Sequence, residues 1–293
     1  MHVGRGSRDT DVAGQTAIGE DPPVHDTHHH HLVPSADLVR RTVAVETAYK
    51  LSRMQVLERI PGNPVGVAYR QLDDGVTALM ARHLPSFNGV TGLRAGLERH
   101  IAPLVEWYRQ AEAATNFEVV PGLDDEALGR ELARFGYFQA DFHASLICEP
   151  NPDADAGDTS VEQVTTAEAM EVFLDAYIAG REIPDGDGFK ANVRPWLGLP
   201  GWRLYLARAD GLPAAAGILF LHDNIGYCAD AATAPAFRGR GHQSALLRRR
   251  IADASRAGAE FVCSGANYLS TSHRNMERAC MRVQFVRANW RGL

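Results

Sequence analysis

Hydrophobic and polar positions along the chain follow two alternating spacings, which predict helices and strands in turn. Helical spacing is clearest from residue 36 to about 60, and it returns over 91–113, despite Pro103, and over 241–257. Shorter apolar stretches typical of strands separate the helices, among them GVTALMARHLP, NFEVVPG, FHASLIC, WRLYLARAD, AAAGILFLH, YCADAAT and RVQFVRANW. The pattern therefore predicts helices alternating with strands, with a shorter acid-capped helix in DDEALGRELARFGY.

Two segments lack any apolar period. Residues 1–34 are rich in Gly, Asp, Pro and His, which predicts a disordered tail. Its histidines, His25 and His28–His31, could trap a metal ion, but a solvated tail without function is the favoured interpretation. The segment EPNPDADAGDTS, 149–160, is predicted to be a linker between a domain at 35–148 and a domain at 161–293.

The two predicted domains share the spacing of their elements. Phe117 opens a strand and Gly136 closes the next helix, and Phe261 and Cys280 hold the same places 144 positions later. The same offset lays the helix at 97–113 on the helix at 241–257. Helix–strand–helix units of this size are common, so coincidence is an alternative. A diverged internal duplication is the better explanation.

Composition and charge narrow the class of protein. The chain has 293 residues, of which 45% are hydrophobic and 23% charged, as in soluble globular proteins. Its net charge of −6 argues against nucleic acid as a general partner, and its longest apolar run, 212–221, is too short to span a membrane. The start lacks the apolar core of a signal peptide. The four cysteines have no CxxC spacing, which argues against zinc and fits a reducing compartment, so we expect a cytoplasmic protein.

One strand-to-helix junction is unusually basic and rich in glycine. It reads APAFRGRGHQSALLRRR, 234–250, and RGRG at 238–241 supplies two glycines and two cations where the helix begins. Backbone N–H groups at a helix N-terminus bind phosphate, and glycine allows close approach. The repeat offset brings Leu97 and Glu98 to the corresponding place, so only the second half is predicted to bind a phosphate. An ordinary surface helix cap is the alternative, and the arginines at 248–250 are predicted to form a solvated helix face.

These residues resemble a known family. TAPAFRGRGHQSALLRRRIADASRAGAEFV, followed by STSHRNMERACMRV, is similar to the acyl-CoA-binding core of the GNAT superfamily of N-acetyltransferases. The family's loop, Arg/Gln-x-x-Gly-x-Gly/Ala, is matched at 238–243 except that Gln243 replaces a small residue. The resemblance covers about 160–290, and over 35–148 it is visible only through the repeat. It implies an α+β, three-layer fold with a mixed, mostly antiparallel sheet flanked by helices, in two pseudo-repeated halves of which the first is degenerate.

The resemblance also implies acetyl-CoA as co-substrate, with no metal. The residues implied to bind it are Ala232, Thr233, Ala234, Arg238, Gly239, Arg240, Gly241, His242, Gln243, Ser244, Ser272 and Asn275. The sequence departs from the family's pattern at two places. Cys280-Met281 occupies the place of a frequent Gly-Phe, and Met276 occupies the place of a frequent tyrosine acid, so that acid is absent or supplied elsewhere.

Acetyl transfer from a thioester to an amine requires positioning, a proton acceptor and a polarised carbonyl. The resemblance places the strand YCADAATA at the reaction site, where Asp230 is the only acid and Tyr227 the only phenol, so both are candidate catalytic residues. A structural hydrogen bond at a strand bulge is an equal alternative for Asp230. In REIPDGDG, Glu182 and Asp185 are candidates for binding a cationic amine, with a solvated loop as the alternative.

The sequence thus predicts an acyltransferase that transfers groups other than aminoacyl groups, namely an N-acetyltransferase. It would move acetyl from acetyl-CoA to an amine of an unidentified small-molecule acceptor. A non-catalytic acyl-CoA sensor or an interaction scaffold is the alternative. No nucleic-acid or membrane partner is expected, and the protein is predicted to be a monomer or a homodimer.

Overall fold

A single sheet of eleven strands runs through the computed structural model, which describes residues 32–292 except 125, 157, 159, 184 and 185. The strands are β1 Val67–Gln71, β2 Thr77–Ala81, β3 Gly89–Thr91, β4 Asn116–Val119, β5 Tyr137–Cys148, β6 Val161–Val164, β7 Trp202–Ala209, β8 Leu212–His222, β9 Ile225–Thr233, β10 Phe261–Asn267 and β11 Arg282–Gly292. The helices of the described part are α1 Ala36–Glu58, α2 Ile101–Gln110, α3 Glu126–Arg134, α4 Ala167–Arg181, α5 Gly186–Val193, α6 His242–Arg256 and α7 Thr271–Arg278.

The order of the strands across the sheet is β1-β2-β3-β4-β11-β5-β10-β9-β8-β7-β6. β3 pairs with β4 and β9 pairs with β10 in parallel, and the remaining neighbours pair antiparallel. The prediction of a mixed, mostly antiparallel sheet flanked by helices is therefore confirmed.

Helices cover both faces of the sheet, as the alternating side chains of β8 show. Ile218 and Phe220 face a core that includes residues of α1 and α4, whereas Ala215 and Leu219 face a core that includes residues of α6. A strand buried on both faces has no polar face, which explains the long apolar run in this part of the sequence.

The predicted repeat is present in the bounds of the elements. An offset of 144 brings α2, β4, α3 and β5 onto α6, β10, α7 and β11, and the two last strands end at Cys148 and Gly292. His143 of β5 and Arg287 of β11 lie directly opposite each other in the antiparallel pairing, and they too are 144 positions apart. A pseudo-twofold axis therefore passes between these two residues. The prediction of two pseudo-repeated halves is confirmed.

The last strand of each half lies next to a strand of the other half. β11 lies between β4 and β5, and β5 lies between β11 and β10. The predicted linker, 149–160, falls in an irregular segment between β5 and β6. Strands from both 35–148 and 161–293 form one sheet. The division into domains at these bounds remains a prediction.

The long helix predicted over 91–113 is wrong in its first part. Gly92 and Gly96 adopt positive φ angles of 80° and 83°, which interrupt a right-handed helix, and the α-helix begins only at Ile101 after a 3₁₀ turn over Glu98–His100. Pro103 therefore lies in the first turn, where its missing N–H removes no helical hydrogen bond. A further helix, α5, begins at Gly186 within the segment REIPDGDG.

Most of the predicted tail lies outside the described residues. Only 32–34 of the range 1–34 are described, and the histidines of the tail are not among them. Of the helices in the part that the structure covers, none is long and apolar enough to cross a membrane.

Candidate functional site

The glycine-rich loop shapes the start of α6. Gly239 and Gly241 have φ angles of +77° and +85°, which L side chains rarely adopt, and Gly241 is the residue that caps the helix. A Cβ at either position would meet no described atom within 4 Å, so both glycines border open space. The first helical hydrogen bond runs from the Ala245 N–H to the Gly241 carbonyl. The N–H groups of 242–244 have no earlier carbonyl to reach and can bind an anion.

A cavity of about 940 Å³ opens beside this loop. β9 and β10 pair only as far as Cys228 and Ser264, and beyond these residues the two strands diverge. The cavity is bounded by the diverging strands and by α6 and α7, and its size is that of a small-molecule or cofactor site. The sequence-predicted residues that line it are Tyr227, Asp230, Ala232, Thr233, Arg238, Gly239, Gly241, His242, Gln243, Ser244, Ser272 and Asn275. Ala234 and Arg240 are not among the lining residues.

Polar side chains tie α6 to α7 at one wall of the cavity. The Gln243 side-chain amide donates to Ser272 Oγ over 2.9 Å, and the Asn275 amide donates to Gln243 Oε1 over 2.7 Å. The residue that departs from the family's loop therefore links the two helices. His242 Nε2 is buried and has no hydrogen-bond partner among the described residues, so a polar atom of a cavity-lining residue is available to a ligand.

The guanidinium of Arg238 forms hydrogen bonds within the protein. It donates to Glu182 Oε1 over 2.5 Å and to the carbonyls of Gly180 and Thr233, which fastens the end of α4 to the end of β9. Glu182, predicted to bind a cationic amine, is thus paired with an arginine. Asp185, predicted for the same role, lies outside the described residues.

The prediction that residues 248–250 form a solvated face is wrong for Arg250. This side chain is 2% exposed and donates to the carbonyls of Leu246, Ile218 and Ala229. Gly217 provides the room, because a Cβ there would stand 3.2 Å from Arg250 Cζ. Arg250 therefore holds the strands β8 and β9 where their register shifts.

Asp230 lies in this shift of register, with a φ angle of +34°. Its carboxylate accepts hydrogen bonds from Tyr49 over 2.6 Å, from Arg181 over 2.6 Å and from Arg53 over 3.2 Å. Burial alone would raise the pKa of Asp230, but the charges of Arg181 and Arg53 and the Tyr49 hydrogen bond lower it to about 2. So stable a carboxylate is a weak proton acceptor at neutral pH, and these contacts favour the structural alternative.

Tyr227 also lines the cavity, and its ring packs 5.4 Å from that of Tyr49. Burial, with the nearby Glu46 carboxylate, raises the pKa of Tyr227 well above 10. The phenol is therefore neutral at pH 7 and keeps a proton that it can donate.

Sequence reasoning missed several residues of the cavity wall, and His143 is the one that comes from the first half of the chain. His143, in the middle of the predicted strand FHASLIC, comes from the first half of the chain yet lines the cavity of the second half. The repeat offset was the available signal, since it pairs His143 with Arg287 on the pseudo-twofold axis. The partners of Asp230, two of which are on α1, were missed as well, and no local pattern marks them.

The corresponding place in the first half is filled. Leu97, equivalent to Gly241, is buried in a hydrophobic cluster with Leu93 and Leu104. The phosphate-binding geometry is therefore lost there. Among the described residues, no group of three or more His, Cys, Asp or Glu side chains could hold a metal ion.

No protein-family model and no curated protein sequence matches this chain. Solved structures do match the fold. A GCN5-related N-acetyltransferase from Kribbella flavida aligns with a TM-score of 0.59 at 17% identity, over 85% of this chain and 95% of that one. The chain has the GNAT fold. A tandem GNAT protein from the clavulanic acid biosynthesis pathway aligns with a TM-score of 0.55 at 14% identity, over 89% of this chain and 97% of that one.

A third GNAT structure, a GCN5-related N-acetyltransferase from Sphaerobacter thermophilus, aligns with a TM-score of 0.51 at 15% identity, over 87% of this chain and 93% of that one. These alignments extend well beyond the region where the sequence resembles the GNAT superfamily. The GNAT fold therefore describes both halves of the chain, including the half whose loop is filled by Leu97.

Proposed function

We propose that the protein is an N-acetyltransferase that moves an acetyl group from acetyl-CoA to the amine of a small-molecule acceptor. The observation that carries the proposal is the glycine loop at the start of α6, which opens into the 940 Å³ cavity between the diverging strands β9 and β10. The GNAT fold of the chain is consistent with this chemistry, and only the second half has the open loop.

The residues of the cavity fit acetyl-CoA. The N–H groups of 242–244 and the two positive-φ glycines suit its pyrophosphate, and His242 Nε2 is a buried polar atom that lacks a partner in the part of the chain that the structure describes. Gln243, Ser272 and Asn275 add polar groups along the same wall. Acetyl-CoA supplies the acetyl group as an activated thioester.

The remaining wall provides groups that act on protons and charge. Tyr227 keeps its phenolic proton at neutral pH and is proposed to stabilise the leaving thiolate by donating a hydrogen bond to it, in place of the tyrosine that Met276 replaces. The shift in register takes Asp230 and Ala231 out of the regular ladder between β8 and β9. Both residues line the cavity, and backbone donors released from the ladder are suited to polarise a carbonyl.

A specific observation favours a second function, acyl-CoA binding without turnover. Asp230, the only acid of the strand YCADAATA, is engaged by three donors. A protein that kept the loop but lost its proton acceptor would bind acetyl-CoA as a sensor or scaffold. Release of free thiol in the presence of amines distinguishes the two functions.

The test compares two glycines of the same backbone geometry. Gly241 and Gly258 lie at opposite ends of α6 with φ angles of +85° and +83°, and neither has a described atom within 4 Å of an added Cβ. Gly241→Ala and Gly258→Ala should therefore lose similar stability, on the order of 1 kcal/mol. Only Gly241→Ala puts a methyl group and backbone strain into the proposed pyrophosphate site, so its affinity for acetyl-CoA should fall roughly ten- to a hundredfold.

Calorimetry measures the affinity, and a thiol-release assay with a panel of amines measures turnover. We expect one acetyl-CoA per chain, unchanged affinity in Gly258→Ala, and thiol release by the wild-type protein with at least one amine. Two equivalent sites per chain, or equal loss of affinity in both variants, would contradict binding at the loop. Binding without thiol release for every amine would favour the sensor.

A further inference from the structure

His143 reaches the cavity from the far side of the pseudo-twofold axis. It lies on β5, directly opposite Asn267 of β10, at the end of the strand that diverges from β9. Its ring lies against Gly265, where an added Cβ would stand 2.7 Å from His143 Nε2 and 3.2 Å from Cδ2. Glycine at 265 is therefore what allows the imidazole to lie there, beside Ser264 in the cavity wall.

The hydrogen bond between His143 and Asn267 indicates which ring nitrogen of His143 carries the proton. His143 Nδ1 lies 3.3 Å from Asn267 Oδ1, and an amide oxygen only accepts hydrogen bonds. With the Asn267 amide in this orientation, the contact favours the neutral tautomer that carries its proton on Nδ1. This leaves the lone pair on Nε2, the atom beside Gly265, free to accept a proton.

Burial and the neighbouring Arg287 favour the neutral form of His143. Burial lowers the pKa of His143, and Arg287 on β11 lowers it further. Glu46 on α1, Glu118 on β4 and the Asn267 hydrogen bond act in the opposite direction without cancelling the shift. A neutral imidazole with a free Nε2 lone pair is the form that accepts a proton from an amine.

The equivalent residue of the other half shows the contrast. Arg287 is 4% exposed, and it donates hydrogen bonds to Glu46, to Glu118 over 2.6 Å and to Ser145 over 3.0 Å. One side of the axis thus holds a closed ion cluster, whereas the other holds an imidazole at an open cavity. In the first half the glycine loop is absent and the ion cluster fills this place. In the second half the loop and the place beside the imidazole are both open.

We propose that His143 is the general base of the cavity, supplied to the second half by the last strand of the first. The proposal rests on the proposed acetyl transfer. As the amine nitrogen attacks, the new C–N bond forms and His143 Nε2 takes the proton of that nitrogen. The C–S bond breaks, the Tyr227 hydroxyl donates a hydrogen bond to the thiolate, and the imidazolium gives its proton to the thiolate through solvent, so that amide and free thiol are the net products.

The test uses His143→Gln in the full chain, with His83→Gln as the matched control. Gln keeps a side chain able to donate to Asn267 but cannot accept the proton, and His83 is an exposed histidine remote from the cavity lining. We expect kcat of His143→Gln to fall about 10²–10⁴-fold, with acetyl-CoA affinity and melting temperature within error of the wild type. The wild-type kcat/KM should decline as pH falls through the His143 pKa, below 6.5, and His143→Gln should lose this acidic limb.

The outcomes separate this proposal from the proposed function. Turnover by the wild type together with unchanged kcat and acidic limb in His143→Gln would overturn His143 as base and leave acetyl transfer standing. Absence of turnover in the wild type with every amine would overturn both. If His143→Gln fails to fold, NMR of the wild-type imidazole decides: we expect the Nδ1–H tautomer and a pKa below 6.5, and the Nε2–H tautomer would overturn the proposal.

Discussion

Asp230 joins side chains that are far apart in the sequence. Tyr49 and Arg53 reach it from α1, and Arg181 reaches it from the end of α4. One carboxylate thereby connects the first helix of the described chain to the wall of the cavity. This arrangement gives Asp230 a measurable role in stability.

Asp230→Asn should lower the free energy of unfolding at pH 7. The lowered pKa of about 2, against an ordinary value of 3.8, corresponds to roughly 2 kcal/mol of stabilisation. A lowered folded-state pKa stabilises the protein above about pH 4, and this contribution disappears as pH falls toward 2. Urea unfolding at several pH values should show a smaller loss between pH 4 and 2 in the variant, while the exposed Asp223→Asn matches the wild type.

The kinetic counterpart of this prediction separates the two candidate bases. Asp230→Asn should retain the acidic limb of kcat/KM, because that limb is assigned to His143. A variant of unchanged stability that lacked the limb would identify Asp230 as the base.

At this scale, the sequence could indicate some residues of the site and not others. The loop at 238–243 is recognisable because glycine conformation, charge and helix start are local properties of a few adjacent residues. Asp230 was singled out for its residue type, but its environment was not predictable because its partners lie 49 to 181 positions away. His143 was missed for the same reason: only the pairing of β5 with β10 brings it to the cavity.

Among the elements, α4 and β9 make an unusually close contact. A Cβ added to Gly180, in the last turn of α4, would stand 2.7 Å from Ala232 Cβ and 2.9 Å from the backbone of Ala232 and Thr233. Glycine is therefore required there to let the helix approach the strand whose Ala232 and Thr233 line the cavity.

Two helical glycines allow this contact to be tested. Gly180→Ala should destabilise the protein by about 1–3 kcal/mol, because neighbouring backbone has to move. Gly129→Ala in α3 should be neutral or stabilise by about 0.5–1 kcal/mol, since its nearest neighbour is the Trp290 ring at 3.8 Å. Urea unfolding of both variants measures the difference, and shifts of equal sign and size would contradict the close contact.

Elements with a strong period were predicted from the sequence, and short ones were not. α1 and α6 are long enough for their spacing to be unambiguous. β1, β3 and β6 have three to five residues, too few to show an alternation, and they form because neighbouring strands pair with them. The helix predicted at 91–113 starts too early. Its apolar residues have helical spacing, and the sequence alone does not reveal that Gly92 and Gly96 adopt positive φ angles.

At the scale of the whole molecule, the central strands determine whether the two halves unfold together or separately. β11 is bonded on both edges, and Ala288 pairs with Val119 of β4 on one side and with Phe142 of β5 on the other. The first half therefore depends on a strand of the second, and we expect unfolding in a single transition.

Proline substitutions test this dependence. Ala288→Pro should disrupt the middle of the sheet, because proline lacks the N–H that a central strand donates. We expect Ala288→Pro to lose acetyl-CoA binding and cooperative unfolding, although no residue of β11 lines the cavity. Gln71→Pro, at the end of the edge strand β1, should retain both. Circular dichroism and calorimetry measure these properties, and two separate transitions in the wild type would contradict a single unit.

The position of β11 also sets the order in which the protein can be made. A ribosome releases residues 282–292 only after the other ten strands, yet these residues fill the space between β4 and β5. Once β4 and β5 have emerged, each has an edge without its final partner, and such an edge can pair with other nascent chains. The sheet closes only after β11 has emerged, so these edges wait for their partner while residues 149–281 are synthesised.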